Sequence, residues 1–318
     1  MRAIYGFCAR STDVPGEVAG FFQLPSPLAA HPDAPMGTFA KGRIAMAVGR
    51  EGPVGRTPDG RFACVVDGEI LNPGHVARRL EELGCPAPSQ AAPDIILACR
   101  LAGKEELFRE IRGSYVFAIA DTVEERVTLG RDMYGTNTLY YADTPRGLAF
   151  SSSLAALARC AWVAKEISPD GLLSYLAGGY VITPHTLYRD ISALEPGHIT
   201  TLGGGERRDR CFFEFEPQSW QFMDTNGMTE DALVDRLEEL LADSLKHRVP
   251  SKGRTAVYLS GGRDTTMLCG ALRKHTDRDI AAFTLGLKGS HNDESHYADQ
   301  VAEHLRLEHH LYTSCREI

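Results

Sequence analysis

The chain has 318 residues, of which 43% are apolar and 24% charged, and its formal net charge is −8 at neutral pH. At roughly 100–200 residues per domain this length predicts two domains, and the composition excludes a disordered or collagen-like chain. The acidic balance argues against nucleic acid as a partner, because no overall basic field would hold a phosphate backbone. No apolar run approaches the roughly 20 residues that span a bilayer, so we expect a cytoplasmic protein without membrane contact.

The eight cysteines are scattered along the chain. None of them forms a C-x-x-C pair, and several lie within apolar runs. We therefore expect buried, reduced thiols rather than disulfides or zinc ligands.

Residues 1–165 alternate short β-like runs with turns, and two helical patterns interrupt them. The helical patterns cover 74–83 and 94–102, where apolar residues recur on one face. This order predicts an α+β sandwich. The predicted strands are 3–8, 43–48, 62–66, 115–120, 126–129, 138–141 and 148–151.

Residues 166–228 lose this periodicity, since four prolines and a Gly-Gly-Gly turn divide them, and they are predicted to form a connecting region. Thr229 is a favourable N-cap for a helix through Arg248, whose leucine stripe should lie against a sheet. Strand, helix, strand, helix and strand follow over 255–313, the pattern of a parallel sheet with right-handed crossovers. Residues 229–318 are thus predicted to form an α/β domain, incomplete at its C-terminus with three strands.

The most informative segment lies between a predicted strand and a predicted helix and reads Leu-Ser-Gly-Gly-Arg-Asp-Thr-Thr. Its adjacent glycines let the backbone approach an anion, toward which the amides of a helix start would point. An aspartate beside a phosphate makes sense with a magnesium ion between them, because like charges otherwise repel. Taken alone, the segment is explained more simply by a turn and a helix-capping aspartate. The anion-binding candidates are Leu259, Ser260, Gly261, Gly262, Asp264, Thr265 and Thr266.

This segment resembles the Leu-Ser-Gly-Gly-x-Asp-Ser-Ser pyrophosphate loop of the asparagine synthetase family. Six further segments resemble motifs of that family in the same order, so the likeness covers nearly the whole chain. They are Asp67-Gly68-Glu69-Ile70-Leu71-Asn72, Arg131-Asp132-Met133-Tyr134-Gly135 with Leu139-Tyr140-Tyr141, Phe150-Ser151-Ser152-Ser153-Leu154, Glu195-Pro196-Gly197-His198, Asp293-Glu294-Ser295-x-Tyr297-Ala298 and Glu308-His309-His310.

The resemblance implies a class II glutamine amidotransferase domain of the Ntn-hydrolase type, followed by a PP-loop synthetase domain of the adenine nucleotide α-hydrolase type. In the family the first domain releases ammonia from glutamine. The second uses ATP and Mg²⁺ to form an acyl-adenylate that an amine attacks. ATP and Mg²⁺ are therefore the implied cofactors, with Asp264 as the metal ligand and Leu259 and Leu285 beside the adenine. Arg263 takes the family's variable position, either as an extra cation near the phosphates or as a solvent-facing residue.

The chain departs from the family at the glutamine site. Arg2 stands where the family has its N-terminal cysteine nucleophile, and Asp67 stands where an asparagine amide would donate to the oxyanion. Cys8 is a poor substitute nucleophile, because it lies in a predicted strand with no free amino group beside it. We therefore predict a degenerate glutamine site. Its positions are Asp67, Gly68, Glu69 and Asp94, of which Gly68, Glu69 and Asp94 would be retained as fold elements.

An inactive glutaminase ahead of a synthetase is typical of the family's cyclising branch, the β-lactam and carbapenam synthetases and the lasso-peptide cyclases. Their attacking amine belongs to the substrate, which favours intramolecular amide formation on a small-molecule or peptide carboxylate. An asparagine synthase fed by ammonia is one alternative, and a truncated, non-catalytic nucleotide-binding remnant is another.

The second alternative arises because family members continue beyond the position of Ile318 with a further metal ligand, an acceptor pocket and a lysine. No catalytic residue can then be assigned, and Lys274 and Lys288 are expected on the surface. A homodimer, or a partner that supplies the absent part, would cover the unfinished sheet. A metal hydrolase built on the histidines ranks last, because no His-Glu-x-x-His occurs.

Overall fold

The computed structural model describes residues 3–10, 37–49, 52–160, 162–215, 227–249, 253–287, 289–290 and 293–314. The chain divides into two compact units, residues 1–217 and 218–318. The first unit thus ends at residue 217, whereas the first domain is predicted to end at residue 165. The region predicted as a connection contributes strands to the sheets of the first unit, which its prolines and glycines conceal in the sequence.

The first unit contains two antiparallel sheets of six strands each among the described residues. The strands are β1 (Ile4–Ala9), β2 (Gly37–Lys41), β3 (Ile44–Val48), β4 (Gly55–Arg56), β5 (Phe62–Ile70), β6 (Gly113–Asp121), β7 (Arg126–Arg131), β8 (Tyr140–Thr144), β9 (Gly147–Ser151), β10 (Ser192–Ala193), β11 (His198–Gly203) and β12 (Glu206–Cys211). Their orders in the two sheets are β10-β8-β9-β1-β3-β2 and β12-β11-β7-β6-β5-β4. All seven predicted strands are confirmed, with ends that shift by a few residues.

The alternation along β5 shows how the layers form. Ala63 and Val65 face the core between the two sheets, whereas Cys64 and Val66 face the helices that cover the outer side of the second sheet. A shorter helix covers the outer side of the first sheet. The predicted α+β sandwich, in four layers, is confirmed. The helices of this unit are α1 (Pro73–Glu82), α2 (Ala92–Leu101), α3 (Leu154–Ala158) and α4 (Pro169–Gly178), with a 3₁₀ turn at Glu105–Arg109.

The Arg-Asp-x-x-Gly segment after β7 has a structural function. The buried Arg131 guanidinium donates to the carbonyl oxygens of Asn137 and Leu194, each at 2.6 Å, and of Gly135 at 2.7 Å. The Asp132 carboxylate accepts from backbone amides, including that of Tyr134 at 3.0 Å. The motif therefore fixes the 132–138 loop to the sandwich through charge-assisted hydrogen bonds.

The second unit is a parallel three-stranded sheet, as predicted. Its helices pack on one face of that sheet. Thr229 caps its first helix by accepting from the Ala232 amide at 3.3 Å. The elements are α5 (Glu230–Arg248), β13 (Thr255–Tyr258), α6 (Arg263–His275), β14 (Ile280–Leu287), α7 (Ser295–Leu305) and β15 (Glu308–Ser314).

The leucine stripe of α5 packs against the sheet only at its C-terminal end. Leu241 and Leu245 join the core, while Leu233, Leu237 and Leu240 are exposed. A helix of 19 residues is about 28 Å long and extends past a strand of four residues, which explains the difference from the prediction. Among all described residues, no helix is both long enough and apolar enough to cross a bilayer.

Candidate functional site

The candidate phosphate loop joins the end of β13 to the start of α6. Leu259 closes the ladder by donating its amide to the Phe283 carbonyl at 2.9 Å, and the chain then turns at Gly261 with φ of +88°. A Cβ at Gly261 would lie 2.6 Å from the Glu294 carbonyl oxygen and 2.9 Å from the Ala298 nitrogen. Gly261 is therefore required both for its backbone angle and for its approach to the start of α7.

Two hydroxyl groups hold the loop in shape from within. The Thr265 hydroxyl accepts from the Ser260 amide at 3.2 Å, lies 3.1 Å from the Ser260 hydroxyl and donates to the Gly262 carbonyl at 3.2 Å. The Ser260 hydroxyl in turn accepts from the Gly262 amide at 3.2 Å. Both residues are predicted to bind the anion directly. These hydrogen bonds show that both also stabilise the conformation of the loop.

The amides at the start of α6 have no side-chain acceptor from their own N-cap. That N-cap is Gly262. The N-caps of α1, α2 and α7 also form no side-chain bond, whereas Ser153, Ser168 and Thr229 cap α3, α4 and α5 with a hydroxyl oxygen. Unpaired amides of a helix start carry partial positive charge and favour an anion. A phosphate group would take the place of the missing cap.

Carboxylates flank this helix start. Asp264 is exposed in the first turn of α6, and the Glu294 carboxylate lies 3.8 Å from the Cβ position of Gly262. Asp293, the residue before Glu294, accepts from the Ser295 amide at 3.1 Å, and hydrogen bonds from Ser295 lower the pKa of its carboxyl. Oxygen donors of this kind suit Mg²⁺ shared with a phosphate, so the residues present fit the implied cation. The sequence assigned this task to Asp264 alone; Glu294 was found only through the contact between α7 and the loop.

The two leucines predicted beside the adenine lie on opposite faces of the sheet. The Leu259 side chain is buried among the helices, whereas Leu285 is 68% exposed on the uncovered face. Val257 pairs with Ala282, and successive residues alternate between faces, so Leu259 shares its face with Thr284. The two side chains therefore do not share a face, and Leu259 is fully buried. An adenine beside this pair of leucines stays a prediction.

Thr266 and Arg263 lie on another face of α6. With Gly261, they line a groove of about 610 Å³ between α6 and α7, which also includes Tyr297. Lys274 is at the far end of α6, in an ion pair of 2.5 Å with Glu238. It agrees with the predicted surface position, and Lys288 lies outside the described residues.

We expect Thr265→Val to open the loop, because valine keeps the shape but removes the hydroxyl that joins Ser260 to Gly262. The expected loss in nucleotide affinity is about fivefold, from the net value of roughly 1 kcal/mol of a hydrogen bond. Titration of a fluorescent ATP analogue measures it. Thr265→Ser, which restores the family's residue, should bind within about twofold of the wild type; equal affinity of the valine variant would contradict the bracing role.

The predicted degenerate glutamine site has a carboxylate, Asp67, at the position where the family resemblance implies a hydrogen-bond donor. Asp67 is buried and accepts from the Ser152 hydroxyl at 2.7 Å, and that hydroxyl also accepts from the Ile4 amide at 3.1 Å. Gly68 has φ of +117°, and a Cβ there would lie 2.0 Å from the Ser114 carbonyl oxygen. Asp67 is thus linked through Ser152 to the start of β1, and Gly68 is fixed by its close approach to β6.

Glu69 and Asp94, the other two predicted positions, have separate surroundings. Glu69 is exposed, and Asp94 in the first turn of α2 accepts from the Ser89 hydroxyl at 2.6 Å. Asp94 also lies 2.9 Å from the Cβ position of Gly55, so it packs against β4.

Cys8 has the properties of a core thiol. It is buried in β1, and its burial, with the Glu125 charge, raises the pKa of the thiol to about 11. A thiol that stays protonated is a weak nucleophile. The seven cysteines within the described residues are all free and mostly buried, and no group of three metal-ligating side chains occurs in that part of the chain.

Comparison with known proteins agrees with this architecture. Residues 38–213, more than half of the chain, match the glutamine amidotransferase domain family, so the chain belongs to that family. Residues 236–317 match the asparagine synthase family, and both matches together give the domain arrangement of an asparagine synthetase.

Curated relatives have the same character at low identity. Putative asparagine synthetase 2 of Methanocaldococcus jannaschii is 26% identical over 208 residues, which cover 64% of this chain and 39% of the relative. Asparagine synthetase 1 of Bacillus subtilis, described as glutamine-hydrolyzing, is 25% identical over 256 residues, which cover 79% of this chain and 38% of the relative. The chain thus spans about 39% of the length of the curated relatives it matches.

Among solved structures, the glutamine phosphoribosylpyrophosphate amidotransferase of B. subtilis, complexed with ADP and GMP, aligns with a TM-score of 0.47 and 10% identity. The alignment covers 98% of this chain and 90% of that chain.

Proposed function

We propose that this protein is an ATP-dependent carbon–nitrogen ligase that activates a carboxylate as an acyl-adenylate. The observation that carries the proposal is the loop at 259–265, where a left-handed Gly261 and a helix start without a side-chain cap form an anion cradle. Its place at the carboxyl end of a parallel strand is the usual position of ligands in open α/β sheets. The relatives of asparagine synthetase type support the same class of reaction.

In this mechanism the loop holds the β- and γ-phosphates through the amides of Gly261 and of residues 263–265, while the bonds of Ser260 and Thr265 within the loop keep these amides aligned. Asp264, with Glu294 nearby, would hold Mg²⁺, which neutralises charge on the departing pyrophosphate. The substrate carboxylate attacks the α-phosphorus, and the bond from that phosphorus to pyrophosphate breaks. An amine then attacks the acyl carbon and displaces AMP.

We further propose that the amine belongs to the substrate, so that the product is a cyclic amide of a small molecule or a peptide. Asp67 supports this step, because an ionised carboxylate offers only acceptors and cannot donate to an oxyanion formed from glutamine. Ammonia-fed asparagine synthesis uses the same adenylate and differs only in the amine. A partner chain or a second copy would cover the sheet face on which Tyr258, Leu285 and Tyr312 are exposed.

Isotope exchange between pyrophosphate and ATP tests the proposal. Purified protein is incubated with MgATP, labelled pyrophosphate and one carboxylate at a time, from aspartate to peptides with acidic side chains. Exchange that depends on the carboxylate supports the ligase, and a cyclic product without added ammonia supports the cyclising form. ATP binding without exchange on any carboxylate would favour the non-catalytic alternative, and absence of MgATP binding would overturn the assignment of the loop.

We expect Asp264→Asn to weaken MgATP binding by about tenfold, because the neutral amide retains the shape but loses the charge that holds the cation. Binding of ATP measured with EDTA should change little. Calorimetric titration with and without Mg²⁺ separates the two effects. Asp277→Asn, at the exposed end beyond α6, is the matched control and should bind as the wild type does. Equal MgATP affinity in a folded Asp264 variant would remove the residue from this role.

A further inference from the structure

The first half of α5 has an apolar stripe that lies outside the core of its own unit. Leu233, Leu237 and Leu240 follow one another at intervals of four and three residues, and all three are exposed. Val234 beside them is 56% exposed. These intervals are those of the d, a and d positions of a heptad repeat, which form the seam between two paired helices. The stripe therefore has the geometry of one half of a helix–helix contact.

This seam and the core of the unit lie on different sides of α5. At 3.6 residues per turn, the three leucines and Ser244 point within about 60° of one another. Leu245, which is buried in the core, is turned by about 110° from the centre of the seam. Glu238, which pairs with Lys274 of α6, lies on the same side as Leu245. A second helix can therefore pack along the seam without displacing the core or α6.

The charges at the two ends of α5 suit an antiparallel partner of the same sequence. The first turn carries Glu230 and Asp231, and the last turn carries Lys246, His247 and Arg248. In an antiparallel pair each acidic turn lies beside the basic turn of the other copy, whereas a parallel pair brings equal charges together. The same distribution also stabilises a single helix through its dipole, so the middle of α5 has to select the partner.

Arg236 and Asp243 select one register of such a pair. They occupy successive g positions, which face the g positions of the other copy when the helices are antiparallel. With Leu237 of one copy opposite Leu240 of the other, each Arg236 lies opposite the other copy's Asp243. A shift of one heptad brings Arg236 opposite Arg236 in one direction and Asp243 opposite Asp243 in the other. Both shifts are disfavoured by repulsion between like charges, so the sequence of α5 is complementary to itself in a single register.

We propose that α5 is a dimerisation helix, which pairs antiparallel with α5 of a second copy of this chain about a two-fold axis. The interface is isologous, because the same stripe serves both copies, and it closes with two chains. Burial of the leucines supplies most of the affinity, while the two exposed Arg236–Asp243 pairs fix the register. Arg236 also contacts Glu239 of its own helix at 2.8 Å, and its five N–H groups are sufficient for both carboxylates.

A lipid surface is the other common partner of an exposed apolar helix stripe, and the charges of α5 argue against it. Six acidic residues and one arginine lie between 230 and 243. Helices that lie on membranes are rich in lysine and arginine on their polar face, because anionic lipids attract these residues. An acidic face is repelled by the same lipids, so the observations favour a second copy of the chain.

Sedimentation velocity of the 318-residue chain tests the dimer. The wild type should form a concentration-dependent dimer over roughly 1–100 µM, and Leu237→Glu should weaken it by at least about 100-fold, because the change places a charge in the seam. Tyr312→Glu, at an exposed position on the uncovered face of the sheet, is the matched control and should sediment as the wild type does. A wild type that remains monomeric overturns the proposal. A dimer that Tyr312→Glu dissociates while Leu237→Glu leaves it intact overturns it as well, in favour of the sheet face.

Exchange of the two charges tests the register. Arg236→Asp and Asp243→Arg should each weaken the dimer by about tenfold, because each change creates two like-charge contacts across the two-fold axis. The double variant restores both attractions and should dimerise within about threefold of the wild type. Both side chains are about half exposed, so these variants decide the question even if Leu237→Glu does not fold. Equal dimerisation of all four proteins would overturn the antiparallel pairing.

Flotation with vesicles of phosphatidylcholine and phosphatidylglycerol distinguishes the second copy from a lipid surface. The wild type should remain in the unbound fraction. Vesicle binding that Leu237→Glu abolishes would overturn the proposal, because the stripe would then serve as a membrane contact. None of these measurements includes a nucleotide, so a failure of the proposed function leaves their results unchanged.

Discussion

Replacing Gly261 by alanine is expected to abolish MgATP binding, with at least about a 100-fold loss of affinity. The left-handed backbone angle costs a residue with a Cβ about 1–2 kcal/mol, and a contact of 2.6 Å with the Glu294 carbonyl oxygen adds a similar amount. Together these reach roughly 3 kcal/mol, and each 1.4 kcal/mol is a factor of ten in affinity. The loop or the start of α7 must move to relieve the contact, and either movement misplaces the amides.

Two other glycines of the same segment make the controls. Gly262 has φ of −73°, and the nearest atom to its Cβ position is the Ser260 hydroxyl oxygen at 3.3 Å, so alanine should change affinity by no more than about threefold. Gly270 lies within α6 with open space around its Cβ position, and alanine there should stabilise the unit by about 0.5–1 kcal/mol. Calorimetric titration and thermal unfolding of the three variants check this order. An alanine at 261 that binds MgATP like the wild type would show that the loop does not hold phosphate.

The sequence indicates a functional or structural role for the pair of adjacent glycines, but it does not show why position 261 requires a glycine. Adjacent glycines between a strand and a helix indicate a turn or an anion site, and both interpretations were open from the residues alone. The contact that distinguishes Gly261 from Gly262 comes from Glu294, more than thirty residues later in the chain. Such a contact depends on how α7 packs, which periodicity does not contain.

Face and register explain the remaining differences within the second unit. The sequence predicts Leu259 and Leu285 at the matching ends of neighbouring strands. The two strands are neighbours, but β14 continues past Leu285 to Leu287. Which residues share a face follows from the pairing of Val257 with Ala282, and a shift of one residue reverses every side chain. The pair expected around an adenine was therefore separated by a property that appears only once the strands are aligned.

The first unit was predicted well where alternation is strong and poorly where it is broken. The buried strands β5 and β6 are clear in the sequence, because each contains an unbroken apolar run, at 62–66 in β5 and at 115–120 in β6. In contrast, β12 is exposed along its whole length and carries mostly charged residues, so nothing in its own sequence indicates a strand. The strand β12 forms through its pairing with β11, and the sequence of the segment alone predicts only a connecting region.

The strongest effect on stability is expected from Arg131→Met. Burial lowers the pKa of the Arg131 guanidinium, which therefore depends on its carbonyl partners to remain a stable charge in the interior. Methionine fills a similar volume but leaves the carbonyls of Asn137, Gly135 and Leu194 without their donor. Loss of a buried charged hydrogen-bond partner costs about 3–5 kcal/mol, so we expect roughly 3 kcal/mol less stability in the first unit.

Urea unfolding followed by circular dichroism measures this loss, with Arg189→Met as the matched control. Arg189 forms a surface ion pair with Glu166 in the same unit, and pairs of this kind contribute about 0–1 kcal/mol. Arg131→Lys should fall between the two, since one ammonium group cannot reach three carbonyls that a planar guanidinium spans. If Arg131→Met unfolds at the same urea concentration as Arg189→Met, the motif does not fix the 132–138 loop. A buried charged residue that folding does not need would have no structural reason to be an arginine. The resemblance of this motif to the synthetase family would then have to reflect a function at the glutamine site.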